Sequence, residues 1–178
     1  MFTFSNTHIT IATPADAAAI AALLNKAYRG EDAKKGWTHE AHLIGGDTRT
    51  NESSIKELID ISDSIIVRYS NNEQKLIGCV NLQKHGIKLY LGMLSVTPHL
   101  QGSGIGKQLL KAAEEYAQHL HSTAIYMSVI SLRDELIDWY RRHGYEDTGE
   151  RKTFIEDNIS GRHLTQLEFM MLEKEIIA

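Results

Sequence analysis

Apolar positions along the chain switch between two periods, and each switch marks an element. Residues 8–13, "HITIAT", alternate polar and apolar and predict an opening strand. In the following "TPADAAAIAALLNKAYRG", Thr13 stands as N-cap and Pro14 at the first helical position. Ile20, Leu23, Leu24 and Ala27 then share a face, and Gly30 can close the helix. Residues 31–49, "EDAKKGWTHEAHLIGGDTR", hold neither period and predict an irregular segment; a second helix is expected over residues 53–61. "SIIVRYS" (64–70), the polar turn "NNEQ" and "KLIGCVNLQK" (75–84) have the pattern of a hairpin, and "IKLYLGMLSV" (87–96) adds another strand after Gly86. From Gly104 to Leu120 the period is helical, with Ile105, Leu109, Ala112, Ala113, Tyr116 and Leu120 on one face. "TAIYMSVI" (123–130) predicts a short buried strand. Ser131 and Asp134 form a capping-box pattern ahead of "ELIDWYRRH", with Gly144 placed to end that helix. Late strands are expected over 145–151 and 165–174, with "EDNISGRH" as the loop between them. No repeat, low-complexity stretch or linker interrupts the pattern. The expectation is one α/β domain over residues 1–178, a mixed sheet flanked by helices.

Composition narrows the partners. A formal charge of −4 and no run of more than two basic residues argue against nucleic acid, whose phosphates call for a basic face. No apolar stretch reaches the length of a membrane span, and the start lacks a basic region followed by an apolar one. The expected location is cytoplasmic, where the N-x-S sequons at Asn51 and Asn158 carry no meaning. The single cysteine, Cys79, forms no intramolecular disulfide and reads as a small core residue.

The chemistry centres on "QGSGIGK", residues 101–107. A P-loop needs G-x-x-x-x-G-K-S/T, but Gln101 stands at the first glycine and Gln108 at the hydroxyl position. A dinucleotide fingerprint needs G-x-G-x-x-G, and its third glycine is Lys107 here. A third geometry remains: a strand ends at Val96, "TPHLQ" turns, and the backbone N–H groups of residues 102–107 open a helix. Such amides and the helix dipole cradle a diphosphate without metal. Lys107 and Lys111 can add positive charge at the edge.

The wider stretch "LSVTPHLQGSGIGKQLLKAAEEYA" resembles the acetyl-coenzyme-A motif of the GCN5-related N-acetyltransferases, V-x-P-x-x-Q/R-G-x-G-x-G/A. Val96, Pro98, Gln101, Gly102, Gly104 and Gly106 stand at the matching places. The family's second motif, an aromatic-Tyr pair that finishes Y-x-x-x-G-F/Y, reads here as "WYRRHGY", with Trp139, Tyr140, Gly144 and Tyr145. The resemblance implies the GNAT fold, a central, mostly antiparallel mixed sheet flanked by about four helices. It also implies acetyl-coenzyme A as co-substrate, with no metal. The backbone of Leu94 and Val96 would hold pantetheine, and Gln101, Gly102, Ser103, Gly104, Ile105, Gly106 and Lys107 the diphosphate. Tyr140 matches the family tyrosine near the coenzyme sulfur. Its reference pKa of about 10 stands close to about 8.5 for a thiol, which suits a general acid for the departing thiolate.

The implied reaction is acetyl transfer to a primary amine by direct attack in a ternary complex. Family members often carry a basic carboxylate on the central strand, but "KLYLGMLSV" has no acid or histidine. The irregular segment supplies Glu40 as the first candidate base, with His39, His42 and Asp47 behind it. Trp37, Thr38 and Arg49 fall in the expected substrate-facing loop. There Trp37 can meet a cationic amine with its ring face, or Arg49 can pair with a substrate carboxylate. Arg133 replaces an asparagine of many relatives and can reach the coenzyme arm, a substrate acid or solvent. His39-x-x-His42 and His119-x-His121 lack companions for a metal site. A small-molecule amine is the expected partner. A protein lysine, a longer acyl donor and a non-catalytic acyl-coenzyme-A binder are the alternatives, and relatives in this family are often homodimers.

Overall fold

The computed structural model describes residues 1–177. In chain order its elements are β1 (Ile9–Ile11), α1 (Ala17–Tyr28), α2 (Gly30–Ala33), β2 (Ile44–Gly45), α3 (Glu52–Asp60), β3 (Ser64–Ser70) and β4 (Leu76–His85). They continue with β5 (Lys88–Val96), α4 (Ile105–His119), β6 (Ala124–Ile130), α5 (Asp134–Arg142), β7 (Glu146–Thr153), β8 (Arg162–His163) and β9 (Glu168–Glu175). Seven strands form one sheet in the order β1-β3-β4-β5-β6-β9-β7, and β2 pairs with β8 in a separate ribbon. β5 and β6 run parallel, whereas the other pairs are antiparallel. Among the described residues no helix is long and apolar enough to cross a membrane.

The two-residue strand period sorts side chains to opposite faces. Ile66 and Cys79 pack with Ile20, Leu24, Ala27 and Ile55 under α1 and α3. Their neighbours Val67 and Val80 pack with Leu109, Leu110, Ala113 and Ile137 under α4 and α5. Burial pushes the Cys79 thiol up to about 12, which leaves it an unreactive part of this packing.

The feature that positions a site is a fork between β5 and β6. They pair at Lys88–Ala124, Leu89–Ile125 and Tyr90–Tyr126 and then separate. Beyond that point β5 carries a bulge. Cys79 faces Ser95 and Asn81 faces Gly92, so Met93 and Leu94 together oppose Val80 alone. Met93 holds φ +56°, in the left-handed region. The bulge bends β5 away from its neighbour and opens a gap in the middle of the sheet.

Local details differ from the sequence expectation in three places. Thr13 and Asp16 form a capping box around a 3-10 turn, Pro14–Asp16, that precedes α1. The segment expected to be irregular contains one helical turn and the short strand β2, and the loop expected after β7 supplies its partner β8. The capping box expected from Ser131 and Asp134 does not form. The Ser131 amide donates instead to Glu168 O of β9 at 2.9 Å, and Arg133 stands at the N-cap of α5 with no capping side-chain hydrogen bond.

Candidate active site

One side of the fork opens into a cavity of about 570 Å³, lined by Leu94, Ser95 and Val96 of β5, the glycine run, and the Trp139–Tyr140 face of α5. Its floor is the start of α4. The first intrahelical bond is from Gln108 N–H to Gly104 O, at 3.1 Å, so the amides of Ile105, Gly106 and Lys107 precede the ladder. Lys107 and Arg142 line the same cavity and add positive charge beside those amides.

The three glycines of the run serve two purposes. Gly102 and Gly104 hold φ of +85° and +88°, and an added Cβ on either would meet nothing within 4 Å. They are required by backbone conformation and leave space above the amides. Gly106 is required by packing, since its Cβ would lie 3.2 Å from Cζ2 of Trp139. Gly104→Val is therefore expected to cost about 1–3 kcal/mol of backbone strain. It should also weaken coenzyme binding through the distorted amides, which calorimetric titration with acetyl-coenzyme A would measure.

Gln101 acts as a strut. Its Oε1 accepts from the Trp37 and Thr38 amides at 2.9 and 3.4 Å, and its Nε2 donates to Thr38 Oγ1 at 2.8 Å and Val96 O at 3.1 Å. A Cβ on Gly36 would collide with that Oε1, so glycine there leaves room for the strut. The loop is thereby drawn to the rim of the large cavity, and the Trp37 ring sits 6.1 Å from that of Trp139. Trp37 and Thr38, expected on a substrate-facing loop, thus line the same cavity as the glycine run. Gln101→Ala is expected to free the loop and weaken acetyl-coenzyme A binding roughly tenfold, at about 0.5–1.5 kcal/mol for each lost hydrogen bond.

Across the fork lies a second cavity of about 110 Å³, which shares Tyr28, Leu94, Leu136 and Tyr140 with the first. The Tyr28 hydroxyl donates to Leu94 O, fixing the bulged strand. Tyr140 is 5% exposed and lines both cavities. Burial, with Tyr28 and Tyr145 nearby, raises its pKa well above the ordinary value.

The far wall of the small cavity is ionic. Glu40 lies between Arg29 and Arg133, its Oε2 accepting from Arg29 and its Oε1 from Arg133 at 3.3 Å. Arg29 also donates to Ser160 O at 3.0 and 2.8 Å, which ties the β7–β8 loop to the end of α1. Burial lowers the Arg29 pKa and the adjacent Glu40 opposes that shift. Glu40 was the leading sequence candidate for a base, but both of its oxygens are engaged by guanidinium groups. Arg49 lines this cavity with its guanidinium 3.9 Å over the Tyr28 ring, and Arg133 lines it too.

Of the other residues expected from sequence, Leu94, Val96, Gly102, Gly104, Gly106 and Lys107 line the large cavity. The Ile105 side chain is buried in the core, and Ser103 Oγ turns back to Leu100 O. His39, His42 and Asp47 line neither cavity. Among the described residues no group of three or more His, Cys, Asp or Glu could hold a metal ion. Sequence reasoning missed Tyr28, Arg29, Leu136, Arg142 and His143. Tyr28 and Leu136 look like ordinary core residues of amphipathic helices, and Arg29 like a surface cation.

Residues 19–145 match the model of the acetyltransferase (GNAT) family. The chain belongs to that family. An uncharacterized N-acetyltransferase of Bacillus subtilis (strain 168), YesJ, is 33% identical over 94 residues, 53% of this chain and 44% of the relative, so the match spans less than half of that protein. The fold is similar to the ribosomal-protein-S18-alanine N-acetyltransferase of Escherichia coli, with TM-score 0.72 and 13% identity over 96% of this chain and 94% of that one. It is also similar to YncA of Salmonella typhimurium, solved with its cofactor acetyl-CoA, with TM-score 0.68 and 18% identity over 98% and 96% of the two chains.

Proposed function

We propose that this protein transfers the acetyl group of acetyl-coenzyme A to a primary amine of a small molecule, by direct attack in a ternary complex. The wall common to the two cavities carries this reading: Leu94 and Tyr140 stand where a donor on one side would meet an acceptor on the other. The large cavity fits coenzyme A in chemistry as well as size. Leading amides, Lys107 and Arg142 suit a diphosphate, while Leu94, Leu136 and Trp139 suit an apolar arm. The carbonyls of Leu94 and Val96 are taken by Tyr28 and Gln101, which leaves their amides as the groups to pair with pantetheine. Bound there, acetyl-coenzyme A supplies the activated thioester.

Tyr140 is assigned the role of donor to the departing sulfur. The acceptor must present a neutral amine, and neutralising an ammonium of pKa near 10 at pH 7 costs roughly 4 kcal/mol. The small cavity's walls favour that neutral form, because they hold three guanidinium groups and one carboxylate. A single cation 4 Å from an ammonium opposes it by about 4 kcal/mol at an effective dielectric of 20. Glu40 is assigned a positioning role, holding Arg29 and Arg133. The small volume and ionic lining of this cavity favour a small acceptor over a protein lysine.

The test is calorimetric titration with acetyl-coenzyme A followed by thiol release over a panel of amines. Binding with release on a subset of amines is the expected result. Tight binding with no release would favour a carrier or sensor of the coenzyme, and absence of binding would overturn the reading.

A further inference from the structure

Three arginines line the small cavity, and they are not treated alike. Arg29 uses its donors on Glu40, Tyr28 O and Ser160 O. Arg133, 1% exposed, gives Nη1 to Glu40 while its Nη2 is buried with no partner among the described residues. Arg49 has its Nη1 buried and without a partner in the same way, with the Tyr28 ring against its plane. Buried guanidinium donors are ordinarily satisfied, so two without a partner on side chains that line one cavity call for an acceptor. Charge gives the same result independently: three cations face Glu40 alone, a net excess of two. At about 110 Å³ the space exceeds by several times the ~10–15 Å³ that one water needs.

We propose that this cavity is an anion subsite and that the acceptor is an amino acid, its carboxylate seated between Arg49 and Arg133 and its amino group turned toward Tyr140. A planar carboxylate matches the guanidinium fork, and it cancels charge that a neutral amine would leave unbalanced. The amine and the carboxylate then occupy opposite ends of one cavity, which fixes which nitrogen is presented. This inference rests on the acetyl-transfer reading, but its binding step can be measured apart from turnover.

The protein loaded with coenzyme A is titrated with a panel of N-acetyl-L-amino acids and with their carboxamides. At least one acid is expected to bind thirtyfold or more tighter than its amide, and Arg49→Met to abolish that preference. Arg49 lies outside the Glu40 pairing, so this variant should fold; unchanged coenzyme affinity would verify it. Arg133→Lys, which keeps the charge and loses the fork, should reduce the preference about tenfold. Equal binding of acid and amide, no binding of either, or a preference that survives Arg49→Met overturns the subsite. Thiol release on neutral amines with amino acids inert overturns the subsite and leaves acetyl transfer standing. Selective binding of acids with no thiol release on any amine does the reverse.

Discussion

Tyr140→Phe is expected to lower kcat by about 10²–10⁴ while acetyl-coenzyme A affinity stays within twofold. The ring itself is held by packing that phenylalanine retains, with edge contacts to Trp139 at 5.0 Å and Tyr145 at 5.8 Å. What the substitution removes is the hydroxyl at the junction of the two cavities. Reference values of about 8.5 for a thiol and 10 for a phenol suggest near-neutral proton transfer. Burial raises the Tyr140 phenol well above its ordinary value, so complete transfer to the thiolate is uphill by about 1.4 kcal/mol for each unit of separation. In the proposed role Tyr140 would act as a hydrogen-bond donor that stays protonated, with transfer late or partial. The sign follows: its folded pKa is raised, so the protonated form persists as pH rises past about 10. A pH–rate profile should accordingly show no alkaline fall below pH 10 that Tyr140→Phe removes. Unchanged kcat in the variant would end the assignment.

The glycine run that lines the large cavity was legible because it is written in contiguous backbone. Positive φ at Gly102 and Gly104 strongly favours glycine, so the motif states much of its own geometry. Gly106 was legible for a different reason than the one read, since it accommodates Trp139 from the other motif. The fork was only half visible. Sequence carries the strand, but the bulge at Met93 depends on how β4 and β5 fall into register, which no local signal records. The small cavity was hardest. Its ionic wall joins Arg29, Glu40, Arg133 and the Ser160 carbonyl, which lie up to 131 residues apart. In sequence Glu40 is an isolated acid in a loop and reads as a base; its pairing with the two arginines brought in by α1 and α5 is invisible there. Ser131 failed similarly, because pairing with β9 outcompeted a local cap. Local rules held wherever tertiary contacts did not compete with them.

Glu40→Ala is expected to destabilise the fold by about 3–5 kcal/mol, lowering Tm by roughly 6–20 °C. Arg29 and Arg133 are 2% and 1% exposed, so removing the carboxylate leaves two nearly buried cations without their counter-charge. The cost is that of uncompensated buried charge, several times what an exposed pair is worth. Thermal denaturation checks it, and a shift under 2 °C would show that the cluster is not held by Glu40. Glu40→Gln separates anchor from base more sharply. Glutamine keeps the shape and one acceptor, so an anchor should lose part of its stability and raise the acceptor KM while kcat falls less than tenfold. A base would behave oppositely, with Tm nearly kept and kcat reduced by about 10²–10⁴. The two readings differ in which quantity moves. If kcat collapses in Glu40→Gln with Tm intact, proton removal belongs to Glu40 and the paired arginines serve to orient it; if KM and Tm move together, the amine loses its proton to water in a cavity whose cations favour the neutral form.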